Sequence, residues 1–338
     1  MTNTIPISIL ELAIINQGSN ASETFEKTKE IAKLVDNLGY KRFWLAEHHN
    51  MAHVASSATV ILIGYIASQT QNIRIGSGGI MLPNHSPLIV AEQFGTLETL
   101  YPNRIDLGLG RAPGTDIQTA QAIRKDFYEL SQQFPQNVTA LQNYFSLENS
   151  KAKVRAFPAE GIKVPIWILG SSLDSAALAA AKGLPYAFAG HFAPKQMIEA
   201  FEFYRENFRA SEFLGYPKTM ACINSIAADS DKEAEILSTS LYQMFQNSVQ
   251  NNRKPLQPPV YFLSDLMNDM NEEDRFLVNQ MTACTFVGNT AKLAIELKEF
   301  IDYSHVDELM ISCPIFDYQD KLKSLRLLKE VMDKINQG

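Results

Sequence analysis

Cysteine is scarce in this chain: Cys222, Cys284 and Cys313 are the three in 338 residues, widely spaced and forming no CxxC pair. That spacing argues against a disulfide framework and for a reducing compartment. Positive charge is short as well. Thirty Lys and Arg face 37 Asp and Glu, and the formal net charge of −7 leaves no basic footprint for a nucleic acid or an anionic membrane. No apolar run reaches the ~18 residues that a membrane span needs. The opening MTNTIPISILEL has neither the basic region nor the long apolar core of a signal peptide. The expectation is a cytoplasmic protein acting on a small neutral or anionic ligand.

What the chain does have is apolar material, 46% of its residues, in a strict alternation of strand-like and helix-like stretches. Strands are expected at Ile5 to Leu12, Arg42 to Ala46, Ile73 to Gly79, Arg104 to Gly110, Val164 to Leu169, Pro185 to Ala189, Thr219 to Ala227 and Glu308 to Cys313. Helices are expected between them, among them Ser22 to Leu38 with Gly39 as its C-terminal cap, and one entered through Ser86-Pro87. Ser230 to Glu233 reads as a capping box. The stretch Ser56 to Thr70 is apolar nearly all round, which predicts a partner subunit over the face that one barrel wall leaves bare. About eight such strand–helix units close most naturally as a TIM barrel, with a doubly wound sheet the competing architecture. Barrels of this kind run to ~250 residues before insertions. One domain over 1–338 is therefore expected, with excursions at about 115–158 and 246–284, the latter a polar, proline-containing loop or lid.

The hub of the sequence is Arg104-Ile-Asp-Leu-Gly-Leu-Gly-Arg-Ala-Pro-Gly114. Ile105, Leu107 and Leu109 alternate with smaller or polar residues, and Pro113-Gly114 ends the run, so Arg111 stands at a strand's carboxyl end. Glycines there admit a flat or phosphorylated ligand, and Arg offers a fork of donors matched to phosphate or carboxylate; an exposed Arg on an ordinary strand fits the residues equally. Gly170-Ser171-Ser172-Leu-Asp-Ser175 places hydroxyls and free N–H groups between a strand and a helix start, an anion site or simply an N-cap. In a barrel, Glu11, His48, Gly79, Arg111, Ser171 and His191 would all meet at one mouth. The spacing around Gly108 is wrong for a dinucleotide fingerprint, since Pro113 obstructs the helix start. Glu47-His48-His49 is a poor metal grip because adjacent strand residues point apart, so no metal is expected.

These residues carry a resemblance. Trp44-Leu-Ala-Glu-His-His49, then Ile75 to Pro83 with Pro87 and Ala91-Glu92, then Gly110-Arg111, resemble the bacterial luciferase-like flavin monooxygenases, most strongly over 5–115 and 164–195. The resemblance implies a TIM barrel that binds FMN at the strand mouths, works as a homodimer with O2 and a small organic substrate, and receives reduced FMN from a separate flavin reductase. It places Arg111 and the Gly170, Ser171, Ser172, Ser175 segment at the flavin phosphate. It places Gly78-Gly79 at a cis peptide beneath the isoalloxazine, and His48 at the histidine implicated in oxidative chemistry. His191, at another strand mouth, is the alternative proton donor or a substrate contact. Gly110 stands where light-emitting α subunits carry a reactive cysteine, and Gly170 and its neighbours replace an acidic residue, which points to the non-luminous branch. Relatives that use the deazaflavin F420, and relatives that bind flavin without catalysis, supply the two competing readings.

Overall fold

Among the described residues are nine parallel strands: β1 (Ile7–Glu11), β2 (Arg42–Leu45), β3 (Arg74–Met81), β4 (Ile105–Gly110), β5 (Ile166–Gly170), β6 (Tyr186–Phe188), β7 (Thr219–Ala227), β8 (Thr285–Gly288) and β9 (Glu308–Ser312). In this computed structural model, which describes residues 4–337, eight of them close a barrel in the order β1-β2-β3-β4-β5-β6-β7-β9. The β6–β7 pairing at Tyr186 to Phe188 and the β9–β1 pairing at Leu309 to Ile311 leave no edge open.

The expected strands therefore all form, and the TIM barrel stands. One strand escaped the sequence reading. Thr285–Gly288 is four residues long and pairs only with the upper half of β7, Asn224 to Ala227, while the lower half, Met220 to Asn224, pairs with β9. The nine-residue length of β7 is explained by this division: it serves the barrel below and a side strand above. The stretch around it, expected as an irregular lid, also contains helices Leu263–Asn268 and Glu272–Met281. The earlier excursion holds helices Ile117–Ile123, Phe127–Gln132 and Phe134–Phe145.

Both faces of the sheet are buried, as a parallel barrel requires. Outward-facing Ile9, Phe43, Leu45, Ile75, Leu107 and Ile168 pack under the helices. Inward-facing Leu10, Trp44, Trp167, Met220, Cys222 and Met310 fill the barrel, with the chain's two tryptophans edge to face at 5.5 Å. Gly76 makes this possible: a Cβ there would stand 2.9 Å from the Trp44 indole nitrogen and 2.6 Å from a backbone oxygen of Asp106.

The amino-terminal end of the barrel is sealed by charge. Arg42 on β2 reaches Asp106 on β4 at 2.6 Å and Glu308 on β9 at 2.9 Å. Arg74 holds the second Asp106 oxygen at 2.7 Å, and the Trp44 indole donates to Asp106. Burial alone would raise the Asp106 carboxyl, but Arg42 and Arg74 overcome it and hold it below its ordinary range. Such a network is costly to desolvate and costlier to leave half-made. Its consequence is positional: the floor is shut, so a ligand can enter only from the carboxyl ends of the strands.

Candidate active site

At the carboxyl end of β2 the chain turns through Glu47-His48-His49, and the three side chains part company. Glu47 is 1% exposed, and its carboxylate accepts from His49 Nε2 at 2.9 Å, His85 Nε2 at 3.0 Å, Asn84 Nδ2 at 3.1 Å and the Met81 amide at 3.1 Å. Asn84 also donates to the Pro113 carbonyl at 3.0 Å, and the His49 amide to the Gly114 carbonyl at 3.1 Å. One buried carboxylate thus ties the exit of β2 to the exit of β3, and through Asn84 to the loop after β4. Burial pushes the Glu47 carboxyl up, but the donors from His49, His85 and Asn84 outweigh it and bring it down to about 2.

His48 takes no part in that knot. Its amide is held by the Ser56 carbonyl at 3.0 Å, while its Nδ1 is buried without a hydrogen-bond partner among the described residues. The same is true of His191 Nδ1, beyond the end of β6, and of His53 Nδ1. Burial lowers His48 to about 4 against the opposing pull of Glu47, and burial together with nearby His48 lowers His191 to about 3. Both rings are therefore neutral near pH 7. Unpartnered buried polar atoms are uncommon, and those of His48 and His191 are candidates for completion by a ligand's hydrogen bonds.

Beneath them β3 is irregular. Its register with β4 shifts between Ser77 and Ile80, and the peptide between Gly78 and Gly79 is cis. Both glycines lie close on the barrel contents: a Cβ on Gly78 would be 2.7 Å from Leu10 and one on Gly79 2.6 Å from Leu169. The Phe157-Pro158 bond, in the first excursion, is also cis and was not anticipated.

Arg111 follows β4 and lies opposite the start of helix Leu173–Lys182, with a guanidinium nitrogen 3.8 Å from Asp174. At 54% side-chain exposure it makes no tighter ion pair among the described residues. Ser172 occupies the N-cap position without capping, leaving the first-turn amides and its own hydroxyl available to an anion. Ser175 is differently placed: its hydroxyl donates to the Ser172 carbonyl at 2.6 Å and lies 2.9 Å from the Tyr186 hydroxyl. Gly170 is needed for that, since a Cβ there would be 2.0 Å from Ser175 Oγ. Gly110 is similarly hemmed in, 2.7 Å from the Met81 sulfur if it carried a Cβ.

Of the residues expected at the mouth, one points elsewhere. Glu11 alternates with Ile7 and Ile9 on the outer face of β1, where it accepts from Lys321 Nζ at 2.7 Å and the Ala13 amide at 2.8 Å. Strand parity decides this, because Leu10 takes the inward position. Residues that the sequence did not single out include Asn84 and His85, which complete the Glu47 knot, and Asn224 on β7. Only Asn224 carried a signal: it continues the inward series Met220, Cys222 to the strand's exit end.

The model of the luciferase-like monooxygenase family matches residues 7–302. The chain belongs to this family. It is 45% identical over 332 residues to a luciferase-like monooxygenase of Escherichia coli (strain K12), covering 98% of each chain. It is 39% identical over 189 residues to N-acetyl-S-alkylcysteine monooxygenase of Bacillus subtilis (strain 168), covering 55% of this chain and 57% of that one. Among solved structures, apo-MsnO8 has a TM-score of 0.87 at 32% identity, covering 97% of this chain and 98% of that one. Likeness of fold alone extends to the FMN complex of the oxygenating constituent of 3,6-diketocamphane monooxygenase from Pseudomonas putida, at 20% identity and TM-score 0.72. It extends also to an F420-dependent secondary alcohol dehydrogenase, at 15% identity and TM-score 0.67. No helix among the described residues is long and apolar enough to cross a membrane.

In this luciferase-like monooxygenase the Glu47 knot should be a stability element first. Glu47→Gln removes the charge and turns one acceptor oxygen into a donor facing His85 or Met81, at a cost of roughly 2–3 kcal/mol. Denaturant unfolding at pH 7 measures it. The Glu47 contribution is complete above about pH 4.5 and is lost as the pH falls towards about 2, so the native and Gln stability curves should converge on acidification. Parallel curves down to pH 2 would remove the charge from the explanation.

Proposed function

We propose that this protein is an FMN-dependent monooxygenase that takes reduced FMN from a separate flavin reductase and uses O2 to oxygenate a small organic substrate. The observation that carries the reading is the division of the mouth. A half-exposed cation with only a 3.8 Å contact to Asp174, and open helix-start donors, stand after β4 and β5, while neutral imidazoles whose Nδ1 atoms lack partners among the described residues stand after β2 and β6. FMN has a matching division between a dianionic phosphate and a flat, weakly polar ring. Arg111, Ser171 and Ser172 with the backbone after Gly170 would hold the phosphate, and Ser175 would brace that turn from behind. Gly78 and Gly79, bare of side chains, would lie beneath the ring. Bound reduced flavin supplies the electrons that activate O2; the chain's own part is to exclude water and govern a proton. His48 suits the second task, because its neutral ring is held by its backbone and its Nδ1 is free. His191, which feels the charge of nearby His48, would contact the organic substrate.

The competing cofactor is F420, since proteins of this fold include F420-dependent enzymes. The non-catalytic alternative is a flavin-binding protein. Spectra of the purified protein with FMN, reduced FMN and F420 separate the cofactors, and O2-dependent product formation separates an enzyme from a binder. N-acetyl-S-methylcysteine is the first substrate to test, given what the Bacillus subtilis relative acts on. We read the whole chain as one such unit working in the cytoplasm, where free Cys222, Cys284 and Cys313 stay reduced.

We further read it as a homodimer joined through helices Thr59–Gln69 and Pro87–Leu100. Ile61, Ile89 and Leu100 on them are 73%, 47% and 62% exposed, an apolar surface suited to a second copy. Light scattering at micromolar concentration should return twice the 37.8 kDa chain mass; a monomer would reject this interface.

Two substitutions test the roles at opposite ends of the mouth. Arg111→Ala should weaken FMN by roughly 1.5–3 kcal/mol, the worth of a charge-assisted hydrogen bond, and leave riboflavin nearly unaffected. Equal weakening of both ligands would take Arg111 off the phosphate. His48→Ala should retain FMN affinity yet divert O2 to hydrogen peroxide, measured as peroxide released per reduced flavin consumed. Native product yield in that variant would leave His48 without a chemical role.

A further inference from the structure

Among the unpartnered buried atoms is the side-chain oxygen of Asn224. Asn224 is 1% exposed and faces inward from β7, directly above Met220 and Cys222. Its amide nitrogen donates to the His191 carbonyl at 2.6 Å and to Thr285 Oγ1 at 3.2 Å. A carbonyl can only accept, so the nitrogen must occupy that side and the amide cannot be turned over. The oxygen is thereby fixed on the other side, buried and without a partner among the described residues. Leaving such an acceptor empty is costly, and a ligand carrying an N–H or O–H would recover the loss.

We propose that Asn224 reads the cofactor ring, its side-chain oxygen accepting a hydrogen bond from the imide N–H of the flavin; this rests on the flavin reading above. Two features favour the ring over the organic substrate. In the closed order of eight strands, β7 is four strands from β3 in either direction, so Asn224 stands across the barrel from Gly78 and Gly79. A ring laid over those glycines, with its phosphate tail held after β4 and β5, has an edge to turn towards β7. Burial is the second feature, since Asn224 is 1% exposed and its amide is held from two sides, a fixed position suited to a rigid ring. The imide is the one N–H that the oxidised isoalloxazine possesses, and reduction leaves it in place, so the contact holds in both redox states. The brace from Thr285 also gives β8, a strand outside the barrel, a part in the site.

The test compares FMN with 3-methyl-FMN, in which that N–H is replaced. Affinity for the ligand-free protein is read from quenching of Trp44 and Trp167, the chain's two tryptophans, both inside the barrel. Native protein should bind 3-methyl-FMN roughly 5- to 10-fold more weakly than FMN. Asn224→Ala should weaken FMN by a similar factor and, with the acceptor gone and space made for the methyl, bring the two ligands within about 2-fold of each other. Equal binding of the two ligands by native protein overturns the assignment and gives the acceptor to the organic substrate. Preference for FMN that survives in Asn224→Ala overturns it too. If Asn224→Ala does not fold, the comparison on native protein decides alone. Native protein that binds neither ligand defeats the flavin reading itself, a result distinct from equal binding.

Discussion

A single buried carboxylate sets the geometry of the mouth. Glu47 is reached by donors from the β2 exit, the β3 exit and the turn that follows β3, and its partner Asn84 extends the tie to the loop after β4. Loops at strand ends are ordinarily the softest part of a barrel, because they lack the ladder hydrogen bonds of the strands. Here three consecutive exits are anchored to one charge. His48 inherits the benefit. Adjacent to Glu47 but pointing away from it, His48 is positioned by its backbone and keeps its ring unengaged. An imidazole bound directly to a carboxylate would be biased towards the charged form; one held next to it through the main chain stays neutral.

The two ends of the barrel solve opposite problems. At the amino-terminal end Arg42, Arg74, Asp106 and Glu308 pair among themselves and close the interior, with Glu308 Oε2 lacking a hydrogen bond among the described residues but lying 4.0 Å from Lys218 Nζ. At the carboxyl end polar atoms are present and unspent: His48, His191 and Asn224 each retain a buried atom without a partner. Stability and function are thereby separated along the barrel axis, as is general for this architecture. The tryptophan pair and the surrounding apolar side chains lie between them and insulate one from the other.

Much of this was legible in the sequence because it is written in local patterns. Eight barrel strands followed from period-two apolar runs ended by glycine or proline, and the helix Ala21–Asn37 with Gly39 behind it followed from spacing and cap. The cis bond at Gly78-Gly79 came from the family resemblance and is present. What failed to show was whatever depends on which face a residue takes or on contacts between distant strands. Glu11 was expected inside and is outside, since a one-residue choice of parity reverses a side chain's direction. β8 was missed because four residues beside a polar stretch give too short an alternation. The Glu47 knot joins positions 34 to 38 residues apart, and nothing in the neighbourhood of Asn84 or His85 announces it.

Charge completes the argument about orientation. Burial holds His48 down to about 4, and burial together with nearby His48 holds His191 down to about 3, so neither ring carries charge near pH 7. Arg111, largely exposed, has among the described residues only the 3.8 Å contact with Asp174. On the flavin reading above, the dianionic phosphate would go to Arg111, since the reverse orientation would set it among unpaired imidazole and amide atoms and leave Arg111 exposed. The proposed phosphate site is compatible with a net acidic chain: the formal charge of −7 is a sum over the whole chain, whereas Arg111 at the end of β4 is a local cation.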